Sequence, residues 1–137
     1  MENWQKEAWI AEHIMGWRKV EKTEGIYKVD PGISFLVDSP RNSKTVFVGE
    51  PYLVGKKWGV KYRVWRPFSN IRDAWMVAEK MTAELEQDEP PGTALRFHGM
   101  MRGLDLWTMP EAKAAEELCV VAIVAMRHNS ETLEKFG

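Results

Sequence analysis

Cysteine and long apolar runs are both scarce in this sequence. Cys119 is the single cysteine, so an internal disulfide is excluded, and its position within Leu118-Cys119-Val120-Val121 predicts a buried thiol that packs as a small hydrophobic group. The longest apolar run, Leu118–Met126, is too short to span a bilayer. The N-terminal MENWQKEAWI also lacks the basic and apolar regions of a secretory signal peptide. We therefore expect a cytoplasmic protein that makes no membrane contact.

An excess of positive charge is missing as well. The 19 Lys and Arg residues are balanced by 20 Asp and Glu residues, for a formal net charge of -1. A protein that binds long nucleic acid by covering many phosphates normally carries a strong basic excess, so we expect no long nucleic acid as a partner. The length of 137 residues predicts a single domain over residues 1–137.

The clearest predicted helix is the central segment Ser69–Glu86. Its apolar residues recur at the i, i+3, i+4, i+7 spacing that makes one face of a helix. Ser69 is the predicted N-cap. Trp75 lies on the apolar face, and we expect it to be the largest buried side chain of the helix.

Two further helices are predicted at the ends of the chain. Asn3–Met15 carries an apolar stripe with Asn3 as its cap. The last helix begins at the capping-box pattern Thr108-Met109-Pro110-Glu111 and runs to about His128. Because this helix is apolar nearly all round from Leu118 to Met126, it needs cover from the sheet and from another helix or a second subunit. We therefore expect a homo-oligomer.

Alternating apolar residues predict strands between the first two helices. Short strands are expected at Ile33–Val37 and Thr45–Gly49. From Lys57 to Trp65 the alternation predicts a half-buried antiparallel strand with a basic outer face. In that strand Trp58, Val60, Tyr62 and Val64 face one way, and Lys57, Lys61, Arg63 and Trp65 face the other. Two later runs, Thr93–Phe97 and Gly103–Trp107, are interpreted as strands joined by a hairpin or loop. The pattern is α+β.

The order of three motifs resembles the Phage ABA sandwich domain family, small proteins of bacteriophages and prophages. The motifs are Ala11-Glu12-His13-Ile14-Met15-Gly16-Trp17, then Pro67-Phe68-Ser69 before Ala74-Trp75-Met76-Val77-Ala78-Glu79-Lys80-Met81, and finally Ala112 with Ala115-Glu116-Glu117-Leu118-Cys119. The resemblance implies an alpha-beta-alpha sandwich, a mostly antiparallel sheet packed with an N-terminal, a central and a C-terminal helix, in the cytoplasm of an infected bacterium. The sequence departs from the family in a longer, strand-rich segment at about residues 18–64. The resemblance supplies no catalytic motif.

Recognisable catalytic motifs are absent from the sequence. His13, His98 and His128 form no metal-binding pair with another His or Cys at helical spacing. Val54-Gly55-Lys56-Lys57 lacks the glycine and Gly-Lys-Ser/Thr pattern of a phosphate-binding loop, and no Gly-x-Ser-x-Gly elbow occurs. We therefore expect no catalytic residues, no metal, no cofactor and no enzymatic activity. One alternative remains open, a small nuclease or phosphodiesterase that uses His98 with Arg102 and Asp105.

The strongest candidate for a binding site is the aromatic and basic run at residues 56–66. Aromatic rings stack on nucleobases, and Lys and Arg donate to phosphate. The candidate ligand-binding residues are Lys57, Trp58, Tyr62, Arg63, Trp65 and Arg66, with Arg96 and Arg102 completing an anion pocket if the two later strands are neighbours. The alternative interpretation is that Trp58 and Tyr62 point into the core and the cations keep the outer face soluble.

These features lead to a functional hypothesis with two alternatives. We expect a phage accessory protein that binds and sequesters a nucleotide-type small molecule, for example a host antiviral immune signal. The first alternative is a protein–protein interaction module in which exposed tryptophans serve as anchors. The second is the nuclease or phosphodiesterase described above.

Overall fold

The computed structural model of the chain describes residues 2–38, 44–83 and 92–126. These ranges contain helices α1 (Asn3–His13), α2 (Ile71–Ala83), α3 (Thr93–Met101) and α4 (Glu111–Met126), strands β1 (Lys22–Thr23), β2 (Ile26–Tyr27), β3 (Phe35–Val37), β4 (Val46–Val54) and β5 (Lys57–Trp65), and a 3-10 turn (Leu106–Thr108). The α+β class with antiparallel pairing is confirmed.

The chain divides into two compact units, residues 1–66 and 67–137, and each is described separately. In the first unit, β3, β4 and β5 form an antiparallel sheet in the order β3-β4-β5, and β1 pairs with β2 in a separate two-stranded ladder. The second unit contains α2, α3 and α4, in which α4 contacts both other helices. The assignment of residues 1–137 to one domain stays a prediction.

Trp65 anchors the core of the first unit: it shares the face of Lys57, Lys61 and Arg63 as predicted, but its end of that face is buried and not exposed. Its side chain is fully buried, and its indole N–H donates to the carbonyl oxygen of Glu7 in α1 at 3.2 Å. The Trp17 ring meets it edge-on, with 4.7 Å between ring centroids. Because α1 covers this end of the sheet, the outer face becomes core at the last residue of β5.

Helix α1 begins at Asn3, the residue predicted to be its cap, and ends earlier than predicted. Glu2 precedes the helix, and its backbone N–H donates to Oε1 of Gln5 at 2.8 Å. At the other end the helix stops at His13, and the N–H of Trp17 donates to the carbonyl oxygen of Ala11 at 3.0 Å. Asn3 is therefore the first helical residue and not the cap.

The cap of α2 is Asn70 and not Ser69, because Oδ1 of Asn70 accepts from the backbone N–H groups of Arg72 at 2.9 Å and Asp73 at 3.2 Å. The prediction for Trp75 is also wrong, since 45% of this residue is exposed. The buried apolar residues of α2 are instead Ala74, Val77, Ala78 and Met81. Successive helical residues point about 100° apart, so a stripe centred on Ala74 turns Trp75 to the surface. Residues 84–86 of the predicted helix lie outside the described ranges.

The two segments interpreted as late strands are not strands. Thr93–Phe97 belongs to α3 and Gly103–Trp107 leads into the 3-10 turn. Ala94 and Phe97 are buried and recur at helical spacing. The periodicity of a short apolar run does not distinguish a strand from a helix. In the folded chain this segment is helical and packs against α2 and α4.

Helix α4 starts at Glu111 without the predicted capping box. Thr108 Oγ1 donates to the carbonyl oxygen of Asp105 at 3.1 Å, while the carbonyl oxygen of Pro110 accepts the N–H of Ala114 at 2.9 Å. The buried residues lie around much of the helix: Ala114, Ala115, Leu118, Cys119, Val121, Ala122, Ile123 and Ala125. The predicted end at His128 lies outside the described residues.

Cys119 confirms its predicted burial. Its side chain is fully buried, and its thiol donates to the carbonyl oxygen of Pro67 at 3.1 Å. Most of the apolar residues of α4 are buried within the chain, whereas Val120 is exposed. Self-association stays a prediction that light scattering can measure.

Candidate functional site

A long hairpin presents most of the residues predicted to bind a ligand. Strands β4 and β5 pair over their whole length, from Val46 opposite Trp65 to Val54 opposite Lys57. The two-residue turn is Gly55-Lys56, and Gly55 has a φ of +63°. A positive φ at the first turn position is typical of the tight turns that fit the right-handed twist of two strands.

The two faces of this hairpin carry different chemistry. Residues directly opposite each other in an antiparallel pair share a face. Trp58, Val60 and Tyr62 therefore lie with Leu53, Pro51 and Gly49 on what we call the ring face. Lys57, Lys61 and Arg63 lie with Val54, Glu50 and Val48 on what we call the cation face. The predicted alternation is confirmed, and it separates the predicted stacking rings from the predicted phosphate ligands.

The ring face is half open to solvent. Trp58 is 51% exposed and Tyr62 is 50% exposed, so the interpretation that both residues point into the core is wrong. Tyr62 contacts Tyr27 and Phe35, with ring centroids 5.8 and 6.4 Å away. Trp58 lies over Gly32 and lines a cavity of about 200 Å³ together with residues 29–33.

The cation face is partly neutralised. The guanidinium of Arg63 forms an ion pair with the carboxylate of Glu50 and lies 5.7 Å from the ring centroid of Trp65. Lys57 and Lys61 are exposed. Of the three cations on this face, Arg63 therefore already has a carboxylate partner, and the two lysines carry the remaining positive charge. Arg66, directly after β5, is exposed as well.

Arg96 and Arg102 do not lie on neighbouring strands, so the basis for the predicted anion pocket is wrong. Arg96 belongs to α3, where its guanidinium donates to the carbonyl oxygen of Ala125 at 3.2 Å and to Oγ1 of Thr93 at 3.1 Å. Its role is to hold the end of α4 against α3. Arg102 is an exposed residue directly after α3.

A groove that the sequence did not reveal lies elsewhere in the first unit. Residues 15–21, 28–30 and 32–35 line a cavity of about 880 Å³. Arg18, Lys19 and Lys28 contribute cations, and Lys19 is paired with Asp38 at 3.1 Å. The many charged residues between residues 18 and 30 are visible in the sequence. No periodic pattern, however, predicts that the segments lining this groove lie side by side.

The second unit has an apolar cavity of its own, of about 290 Å³. Its lining residues are Ile71, Trp75, Leu106, Trp107, Met109, Glu111 and Ala114. Trp107 is 96% exposed. Because the apolar periodicity of α2 predicts Trp75 in the core, sequence patterns do not indicate this surface.

The residues of the proposed nuclease do not form a recognisable centre. Nε2 of His98 is buried and has no hydrogen-bond partner among the described residues, whereas Arg102 and Asp105 are exposed. Within residues 2–38, 44–83 and 92–126, no three His, Cys, Asp or Glu side chains are grouped to hold a metal ion. Among the helices of these ranges, none combines the length and apolar composition needed to cross a membrane.

The comparison with protein families identifies the chain. The family model of the Phage ABA sandwich domain matches residues 8–123, and the chain therefore belongs to that family. Searches of curated proteins and of solved structures found no match.

Proposed function

We propose that this Phage ABA sandwich domain protein is an interaction module that binds another protein through its β4–β5 hairpin. The observation that carries the proposal is the exposure of large apolar residues along both strands of the hairpin. These residues are Tyr52, Leu53, Val54, Trp58 and Tyr62.

Three of these residues, Leu53, Trp58 and Tyr62, share the ring face and form its exposed apolar surface, while Tyr52 and Val54 lie on the cation face. Leu53 lies opposite Trp58 across the two strands. Tyr62 lies four residues after Trp58 in β5, on the same face. Contiguous exposed apolar patches on soluble proteins commonly mark interaction sites. Aromatic residues, Trp and Tyr above all, supply much of the binding energy in protein interfaces. A partner with an apolar surface, from the phage or from its host, suits this face.

Affinity capture with matched variants tests the proposal. The full chain, a Trp58→Ser/Tyr62→Ser double variant and a Trp107→Ser control are each used to capture proteins from lysate of an infected bacterium. We expect a protein retained by the wild type and by the control, and lost with the double variant. Circular dichroism checks that the double variant still folds, because Trp58 and Tyr62 are each half-buried. Equal capture by all three chains would contradict the proposal.

As a second proposal, we infer that the chain sequesters a nucleotide-type small molecule in the groove of residues 15–21, 28–30 and 32–35. Its volume of about 880 Å³ lies within the range of about 300–1,000 Å³ found for small-molecule sites. Arg18 and Lys28 line it and offer donors to phosphate. A host antiviral signal of this chemistry is the candidate ligand.

Mass spectrometry of small molecules released by heating the purified chain tests this second proposal. We expect a phosphorylated compound from the wild type, and its loss from an Arg18→Ala/Lys28→Ala variant. A Lys57→Ala/Lys61→Ala variant is the matched control, because it removes the same charge from the hairpin. Absence of any released nucleotide, together with no thermal shift across a panel of cyclic and ADP-ribose-type nucleotides, would contradict this proposal.

A further inference from the structure

The outer side of β5 is the open edge of the sheet. In the described part of the chain β5 pairs with β4 alone. The opposite edge is covered, because residues 18–20 bond to β3: the N–H of Val20 donates to the carbonyl oxygen of Leu36 at 2.8 Å, and the N–H of Leu36 donates to that of Arg18 at 2.9 Å. An uncovered edge is a template for a further strand.

The turn geometry identifies which backbone groups face outward. In a two-residue hairpin the flanking residues, here Val54 and Lys57, exchange backbone hydrogen bonds. Hydrogen-bonded and non-hydrogen-bonded pairs then alternate along the ladder. The N–H and carbonyl groups of Trp58, Val60 and Tyr62 are therefore directed away from β4, toward the open edge.

Side-chain charge determines what kind of strand fits this edge. On the cation face, Lys57 and Lys61 are exposed, and Arg63 is the cation that pairs with Glu50. A second copy of β5 added antiparallel would place its own lysines on this same face, and like charges opposite each other destabilise a strand pair. A strand with acidic residues on this face, and apolar residues against Trp58 on the other, is complementary.

The geometry points to β-strand addition: the outer edge of β5 binds an extended segment of a partner protein in which acidic and apolar residues alternate. This inference rests on the proposed role of the hairpin in protein binding, and it defines the partner's chemistry. Backbone hydrogen bonds supply affinity in such complexes, and alternate side chains supply specificity.

Synthetic peptides test the inference directly. One peptide of about eight residues alternates glutamate and valine, which is long enough to span most of β5 at roughly 3.3 Å per residue. A second alternates lysine and valine. Fluorescence anisotropy with the full chain is expected to show binding of the acidic peptide and at least about tenfold weaker binding of the basic one.

Three variants separate backbone pairing from charge. Val60→Pro removes an outward N–H and is tolerated at an edge position, whereas Val60→Thr keeps the N–H and the branched side chain. We expect Val60→Pro to weaken binding of the acidic peptide by about tenfold or more and Val60→Thr to leave it unchanged. A Lys57→Glu/Lys61→Glu variant is expected to prefer the basic peptide. This charge-reversal variant decides the matter if Val60→Pro fails to fold.

The inference is overturned if the two peptides bind equally, if neither binds, or if charge reversal leaves the preference unchanged. These results are distinguishable from failure of the proposed function. Should Trp58→Ser/Tyr62→Ser still abolish capture of a protein partner, the hairpin remains the interface and strand addition alone is wrong.

Discussion

The ring of Phe35 lies directly on the backbone of Gly49: a β-carbon added to Gly49 would be 2.6 Å from Cζ of Phe35. The same relationship recurs farther along the hairpin, where a β-carbon on Gly59 would be 2.5 Å from Cζ of Tyr52. The first pair is buried in the sheet, and the ring of the second is half exposed. Each glycine therefore makes room for a ring, but only one of the rings has somewhere to move.

Gly49→Ala is expected to destabilise the protein by about 1–3 kcal/mol, because Phe35 is held by its neighbours and the added methyl overpacks the core. Gly59→Ala is the matched control, with an expected change within about 0.5 kcal/mol as Tyr52 swings into water. Urea unfolding monitored by circular dichroism measures both. Equal losses in the two variants would show that Tyr52 is held as firmly as Phe35.

Trp65→Ala is expected to cost about 3–5 kcal/mol of unfolding free energy, because a fully buried indole is removed. Trp65→Phe keeps most of the apolar volume but leaves the carbonyl oxygen of Glu7 without this donor, at a cost nearer 1 kcal/mol from the hydrogen bond. The comparison is Trp58→Ala at the half-exposed position of the same strand. A larger loss for Trp58→Ala than for Trp65→Ala would contradict the burial described for the two side chains.

His98→Leu is expected to raise stability by about 1 kcal/mol, because it removes a buried ring nitrogen with no hydrogen-bond partner in the described part of the chain. His13→Leu provides the contrast. The ring of His13 stacks on Trp9 at 4.7 Å, and its Nδ1 lies 3.1 Å from the carbonyl oxygen of Trp9, so that variant is expected to lose stability. Thermal unfolding compares the two. A drop in stability for His98→Leu would indicate that the histidine ring has a role these contacts do not reveal.

The carboxyl group of Glu2 is expected to titrate below its ordinary value of 4.5. The hydrogen bond from the indole N–H of Trp4 lowers its pKa most, followed by the interaction with Lys44. Because the folded-state pKa is depressed, the associated stabilisation of the start of α1 is present above the unfolded-state pKa and is lost as the pH falls through the folded one. An NMR titration of the Trp4 indole resonance measures this pKa.

Trp4→Phe removes the indole donor and is expected to return the Glu2 pKa toward 4.5. The NMR resonance of the Glu2 carboxyl group measures this pKa. Lys44→Gln removes the smaller contribution and is expected to have the smaller effect. A pKa that is unchanged in Trp4→Phe would rule out the indole hydrogen bond as the main cause of the shift.

Local patterns predicted much of the secondary structure because their signals are periodic. The 3.6-residue repeats of α1, α2 and α4 and the two-residue repeat of β5 are properties of adjacent residues, and all four elements are observed. Family membership also follows from residue order. Strand β4 is longer than the predicted Thr45–Gly49 and continues through Pro51. Proline is confined to particular positions in sheets, so its presence argues against a long strand at this point in the sequence.

The candidate site was predicted less well, because exposure depends on what covers each face. Both sides of β5 contain apolar residues, and periodicity alone does not say which side the rest of the chain covers. The contacts of Trp65 with α1 bury it, while Trp58 and Tyr62 remain half exposed. The sequence likewise predicts Arg96 as a phosphate ligand, whereas in the folded chain its guanidinium donates to the carbonyl oxygen of Ala125.

By itself the sequence determined the α+β class, three of the helices, the alternation of rings and cations along β5, and the burial of its lone thiol, because each depends on neighbouring residues and their chemistry. Only the tertiary structure decided that α3 is a helix, that Trp75 faces solvent, and that the hairpin exposes Trp58 and Tyr62 on one face and two lysines on the other. Those outcomes depend on contacts between segments distant in the chain, and no local pattern encodes which of two faces such contacts will cover.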